Sequence, residues 1–129
     1  MRLRRSRGGW RVAALLAGWL LAVPVVGGAH ALLVKSAPAR RAVLTRSPER
    51  VQLWFNEALE PAFARLTVLD SRGARVDRGD ASVEPDDPKL LSVKLPALEP
   101  GTYTVKLRVL SVDGHVVESE FSFTVRPRR

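Results

Sequence analysis

From Leu32 onward, apolar side chains recur at every second position, the spacing of strands with one buried face. The clearest run is Tyr103, Val105, Leu107 and Val109, between which Thr104, Lys106 and Arg108 point the other way. The same alternation marks Val51, Leu53 and Phe55, then Leu66 and Val68, then Leu91, Val93 and Leu95, and finally Phe121, Phe123 and Val125. Turn chemistry separates these runs at Ser71-Arg72-Gly73, Pro85-Asp86-Asp87-Pro88, Glu99-Pro100-Gly101 and Asp113-Gly114. No stretch of the body keeps a helical period over three turns, although Glu57 to Phe63 has room for one short turn. Six or seven short strands in roughly 100 residues, punctuated about every ten, predict an all-β, immunoglobulin-like sandwich of two sheets with Greek-key connections. A small closed barrel is the alternative.

The first thirty residues follow a different pattern. Arg2, Arg4, Arg5, Arg7 and Arg11 form a basic stretch, an apolar run extends from Val12 to Val26, and the small residues Gly27, Gly28 and Ala29 follow. Basic, apolar, then small is the order of a secretory signal peptide, which predicts residues 1–29 as an export signal and 30–129 as the mature domain. The apolar run, broken by Pro24, falls short of the roughly 20 residues that span a bilayer, so a retained membrane helix is the minor reading and the mature form is expected outside the membrane. Arg4-Arg5 leaves ordinary and twin-arginine export both open. Cleavage after Ala29 makes His30 the first residue, whereas Ala29-His30-Ala31 is itself a small-x-small match, and a cut after Ala31 removes that histidine. The two cuts are nearly balanced on pattern alone.

Charge changes the picture only once it is located. The formal net charge is +8, but five of the 21 basic residues and none of the 13 acidic ones fall in the signal, so the body carries 16 against 13. With no basic block and no interleaved aromatic residues, the body is not expected to bind nucleic acid. The absence of cysteine excludes disulfides, zinc-thiolate sites, iron–sulfur clusters and a cysteine nucleophile.

Candidate chemistry rests on the two histidines, His30 and His115; the single methionine is Met1. Either histidine alone is more often solvated or structurally bonded than a ligand. At a free N-terminus, however, the α-amine and imidazole of His30 can close a chelate ring on a metal without help from the fold. His115 follows Asp113 by two residues in Ser111-Val112-Asp113-Gly114-His115, and in an extended segment residues two apart project to the same side, so carboxylate and imidazole can converge on one ion. The metal-free reading of Asp113-Gly114 is a hairpin turn. An amine, two imidazoles and a carboxylate suit a tetragonal Cu(II) ion and are acceptable to Ni(II) or Zn(II), while the soft ligands of Cu(I) are missing.

The segments His30-Ala31-Leu32, Ser36-Ala37-Pro38-Ala39, Leu53-Trp54-Phe55-Asn56-Glu57, Gly101-Thr102-Tyr103-Thr104-Val105, Ser111-Val112-Asp113-Gly114-His115 and Phe121-Ser122-Phe123-Thr124-Val125 together resemble the CopC family of periplasmic copper-resistance proteins. The resemblance covers essentially all of residues 30–129. It implies a seven-stranded β-sandwich and one tightly held Cu(II) ion, whose ligands match His30, Asp113 and His115. It also places Glu57 beside the copper as a weak or indirect contributor; an exposed strand-end glutamate is an equal alternative. Some members carry a methionine-rich loop that forms a separate Cu(I) site. The corresponding region here, Asp70 to Lys89, has no methionine and no histidine, so the Cu(II)-only form is expected.

The function expected on this basis is an exported, monomeric Cu(II) carrier or buffer serving copper homeostasis or resistance, with any membrane copper transporter a separate protein. Two other functions remain in view. A copper monooxygenase acting on polysaccharide shares the N-terminal histidine, but Asp113 would fill the coordination position that oxygen needs, so catalysis is not expected. A metal-free adhesive sandwich needs neither histidine.

Overall fold

The computed structural model describes residues 32–127. The export signal, its cleavage site and His30 therefore lie outside the described residues.

Eight strands follow in the order β1 (Leu33–Ala37), β2 (Val43–Leu44), β3 (Arg50–Phe55), β4 (Arg65–Leu69), β5 (Ser82–Glu84), β6 (Asp87–Lys94), β7 (Gly101–Leu110) and β8 (Val116–Val125). They form two four-stranded sheets, β1-β3-β6-β5 and β2-β8-β7-β4, which makes the molecule a sandwich rather than a closed barrel. One turn of 3-10 helix at Pro61–Phe63 occupies the stretch where a short turn is expected.

The alternation read from the sequence is the core. Val51, Leu53 and Phe55 of β3 and Leu91 and Val93 of β6 face Leu66 and Val68 of β4, Val105, Leu107 and Val109 of β7, and Phe121, Phe123 and Val125 of β8, all buried. Tyr103 joins them by stacking on Phe123 with ring centroids 5.5 Å apart, while its hydroxyl donates to the Glu99 carbonyl at 2.5 Å. Burial of that ring, reinforced by the negative charges of Glu99 and Asp70, pushes the phenol's pKa up, so it stays a neutral donor.

The strand count exceeds the expected seven because of segments with no alternation to read. β2 has two residues and pairs in parallel with the end of β8, and β5 has three and pairs with β6. β1 lies at a sheet edge, and its register against β3 shifts between Leu33 and Lys35, which breaks the period of two.

Two features of this fold position the site. The first is the β7–β8 hairpin, paired from Gly101↔Val125 to Leu110↔Val116 and closed by residues 111–115. The second is the segment after β3, which is sewn to the closed end of that hairpin. Leu59 bridges Ser111, the Glu60 N–H donates to the Leu110 carbonyl at 2.8 Å, and the Val112 N–H donates to the Ala58 carbonyl at 3.1 Å. Leu59 itself is buried, so the seam has an apolar anchor as well as a polar edge.

Phe123 is fully buried between the sheets, and truncation to alanine should cost about 3–5 kcal/mol in a domain whose whole stability is of order 5–15 kcal/mol. Lys106→Ala, on the exposed face of β7, should change stability by no more than about 0.5 kcal/mol. Urea unfolding followed by tryptophan fluorescence measures both.

Candidate metal centre

Ser111 to His115 must reverse the chain between Leu110 and Val116, and the sequence meets that demand locally. Gly114 sits at φ +93°, a conformation that favours glycine, and a Cβ there would meet no atom within 4 Å, so the requirement is conformational rather than steric. Ser111 is wholly buried at the base of the turn. Its N–H donates to the His115 carbonyl and its carbonyl accepts from the Gly114 N–H, both at 2.9 Å. Its hydroxyl donates to Asp113 Oδ1 and accepts from the His115 N–H at 3.2 Å.

The turn brings the two side chains together, with His115 Nδ1 3.1 Å from Asp113 Oδ1. Their convergence has a different cause from the one expected. Asp113 and His115 are not on one face of an extended strand; they flank a glycine in a tight turn, and the turn and the convergence occur together. Nδ1 is shielded from solvent, although the imidazole as a whole is 38% exposed and the carboxylate 32%. The pair therefore has an open side.

Glu57, from the segment after β3, comes close enough to Asp113 to add to the shift of its carboxyl. The Asp113 carboxyl is lowered to about 2, mainly by the Ser111 hydroxyl; its own desolvation opposes the shift, while the His115 imidazole, through a hydrogen bond and its charge, and Glu57 add to it. With the folded-state pKa depressed, these contacts stabilise the fold above the ordinary carboxylate range and are lost as pH falls towards 2. Asp113 is consequently an anion at any pH where an imidazole is neutral.

The fourth expected residue, His30, is outside the described residues, but the chain next to it is fixed. The Leu32 N–H donates to Asn56 Oδ1 at 2.6 Å, and the Asn56 N–H donates to the Leu32 carbonyl at 3.1 Å. The entry to β1 is thus tied to the residue preceding Glu57. Asn56 and Ser111 both lay inside motifs read from the sequence without a role being assigned to them. The signal for Ser111 was its spacing, since a serine two residues before an aspartate in a turn can bond it locally. For Asn56 there was none, because its partner is 24 residues away.

Chemically, the arrangement brings one imidazole and one carboxylate together, with Nδ1 and Oδ1 in hydrogen-bond contact at 3.1 Å and the rest of both groups partly exposed. Among the described residues no set of three or more His, Cys, Asp or Glu is arranged to hold an ion alone, so an ion bound here would take further donors from elsewhere. A surface groove of about 430 Å³ is on the outer face of β4, β7 and β8, where Lys106 and Arg108 pair with Glu120 and Glu118, and no imidazole lines it. No helix among the described residues is long and apolar enough to cross a membrane.

Comparison with known proteins identifies the family. The CopC domain model matches residues 33–126. "Copper transport protein CutJ" of Bacillus subtilis (strain 168) is 32% identical over 124 residues, which are 95% of this chain but 22% of that protein, so the chain spans about a fifth of that relative's length. The crystal structure of CopC from Methylosinus trichosporium OB3b aligns with TM-score 0.69 and 39% identity over 78% of this chain and 97% of that one. PcoC, a methionine-rich copper resistance protein from Escherichia coli, aligns with TM-score 0.64 and 30% identity over 76% of this chain and 100% of its own. On the extent of the family match and the agreement in fold, this chain belongs to the CopC family.

Proposed function

We propose that this chain is an exported carrier or buffer that holds one Cu(II) ion between the α-amine and imidazole of His30, the Asp113 carboxylate and the His115 imidazole, with Glu57 alongside. The observation that carries this reading is the tethering of Leu32 at the end of the sandwich where Asp113, His115 and Glu57 meet. One residue, Ala31, separates Leu32 from His30, and two chain steps reach at most about 7 Å, which keeps a first-residue histidine at the end of the sandwich where Asn56 and Glu57 lie. Cleavage after Ala29 supplies that first residue.

The donor set favours copper among divalent first-row ions, and nitrogen with carboxylate oxygen favours Cu(II) over Cu(I). Names support the metal: one similar protein is called a copper transport protein, another a copper resistance protein. Unlike that methionine-rich relative, this chain has no methionine after Met1, so there is no thioether set for a second, reduced ion. Copper held in this way is kept oxidised and is bound less well after reduction. Delivery to, or receipt from, a separate membrane transporter fits a carrier that exposes its ion at one end of the domain, acting as a monomer in the periplasm or outside the cell.

Three outcomes test the site. Protein beginning at His30, given free copper at about a hundred times Kd, should gain about 2.7 kcal/mol, which for a domain of this size raises Tm by roughly 10–20 °C. A version with one additional residue before His30 should lose most of that gain, and calorimetry of the two decides whether the terminus is a ligand. In competition with a chelator, Asp113→Ala should weaken binding and His115→Ala should weaken it further, by at least about a hundredfold, because it removes a nitrogen donor.

The third outcome concerns pH. Copper displaces protons from the amine and the imidazoles that bind it, whereas Asp113, held down mainly by the Ser111 hydroxyl, is already ionised. Apparent affinity should therefore fall steadily between pH 7 and pH 5. An affinity that stays flat across that window contradicts the proposed ligands.

A further inference from the structure

We infer that Ser111 is a positioning residue for the metal, one that never touches the ion but sets the geometry of the two ligands that do. The inference rests on the site proposed above and adds to it a residue outside the ligand set. Ser111 is wholly buried, in contrast to the partly exposed Asp113 and His115 side chains. Its position is fixed from outside the turn by the bridge to Leu59, a buried residue of the segment that also carries Glu57. A serine held this firmly is a reference point from which the rest of the turn is built.

From that point it contacts both ligand residues. The hydroxyl donates to Asp113 Oδ1 and accepts from the His115 N–H, while the Ser111 N–H donates to the His115 carbonyl. Ser111 therefore holds the His115 backbone by two bonds and the Asp113 carboxylate by one. Oδ1 is the oxygen that faces His115 Nδ1 at 3.1 Å, so the serine fixes the atom whose distance from the imidazole sets the bite of the pair. Without the hydroxyl, Asp113 is free to turn about its side-chain bonds towards water, and the ordering of its carboxylate has to be supplied when the ion binds. The consequence is weaker binding and faster release with the ligand atoms themselves unchanged.

A positioning role of this kind makes a demand that a merely structural role does not. Ser111 acts on the metal partly through Asp113, so its effect should shrink when Asp113 is gone. The test uses protein beginning at His30 in four forms, wild type, Ser111→Ala, Asp113→Ala and the double variant, with Ser111→Thr as the form that restores a hydroxyl. Cu(II) affinity is measured by chelator competition, the release rate by stopped-flow transfer to excess chelator, and the ligand field by electron paramagnetic resonance. Melting of the metal-free proteins reports folding separately.

Ser111→Ala should weaken Cu(II) binding by about 10–100-fold, the range typical when a group that orients a metal ligand is removed. It should also quicken release and shift the copper hyperfine splitting, while Ser111→Thr stays near wild type in all three. In the Asp113→Ala background the same Ser111→Ala change should cost clearly less than it does alone. Wild-type affinity and spectrum in a folded Ser111→Ala protein would overturn the positioning role and leave the site intact. Losses that simply multiply in the double variant would show that Ser111 does not act through Asp113 and would overturn its control of the pair's geometry. Wild-type protein that does not bind Cu(II) at all would remove the site itself, and the role of Ser111 with it. If Ser111→Ala fails to fold, Ser111→Thr carries the test: with a hydroxyl in place, wild-type affinity, release and spectrum support the role, and a loss of about 10–100-fold in affinity with a sound fold refutes it.

Discussion

Everything at the functional end of this domain depends on a seam of backbone hydrogen bonds between the segment after β3 and the closed end of the β7–β8 hairpin. The seam comprises the Leu59–Ser111 bridge and the bonds of Glu60 to Leu110 and of Val112 to Ala58. It joins a segment leaving one sheet to a turn belonging to the other, so the two layers cannot slide at this end without breaking it. Because it is made by main-chain groups partly excluded from water, each of which needs a partner, it is held more firmly than contacts between exposed side chains. Glu57 lies two residues before Leu59 and Asp113 two residues after Ser111, so the seam fixes the backbone positions from which the two carboxyls extend.

The local electrostatics follow from that placement. Two carboxyl groups and an imidazole are gathered at a partly exposed end, and the protein manages the resulting negative charge by hydrogen bonds rather than by a nearby lysine or arginine. The Ser111 hydroxyl does most to hold the Asp113 carboxyl at about 2, the His115 imidazole adds to it, and no lysine or arginine contributes. A cation is the natural counterpart of such a group. The contrast with the outer face of β7 and β8 is instructive, since Lys106–Glu120 and Arg108–Glu118 there are cross-strand pairs that neutralise one another in solvent and are worth little individually.

Membership of the CopC family accounts for the sandwich, and the differences from individual relatives lie in what is attached to it. A relative from Bacillus subtilis is several times longer than this chain, and a relative from Escherichia coli is described as methionine-rich where this sequence has methionine only at position 1. The common element is the β framework.

The sequence alone determined the strands that carry the core, because a period of two is imposed residue by residue by the pleat and survives whatever the strand pairs with. It determined the turns for a similar reason: glycine, proline and aspartate act within two or three residues of themselves, as Gly114 does. It also singled out Asp113 and His115, which are neighbours in the chain as well as in space. Short or irregular strands such as β1, β2 and β5 escaped it, since a bulge, a two-residue pairing or a three-residue edge leaves no period to read. Only the tertiary structure decided that Glu57 meets Asp113, that Asn56 holds Leu32, and that Ser111 is buried beneath the turn, because each of these joins residues whose spacing in the chain carries no information about their separation in space. The tertiary structure also replaced the expected cause of the Asp113–His115 approach, an extended strand, with a glycine turn clamped from below, which nearest-neighbour geometry could not distinguish.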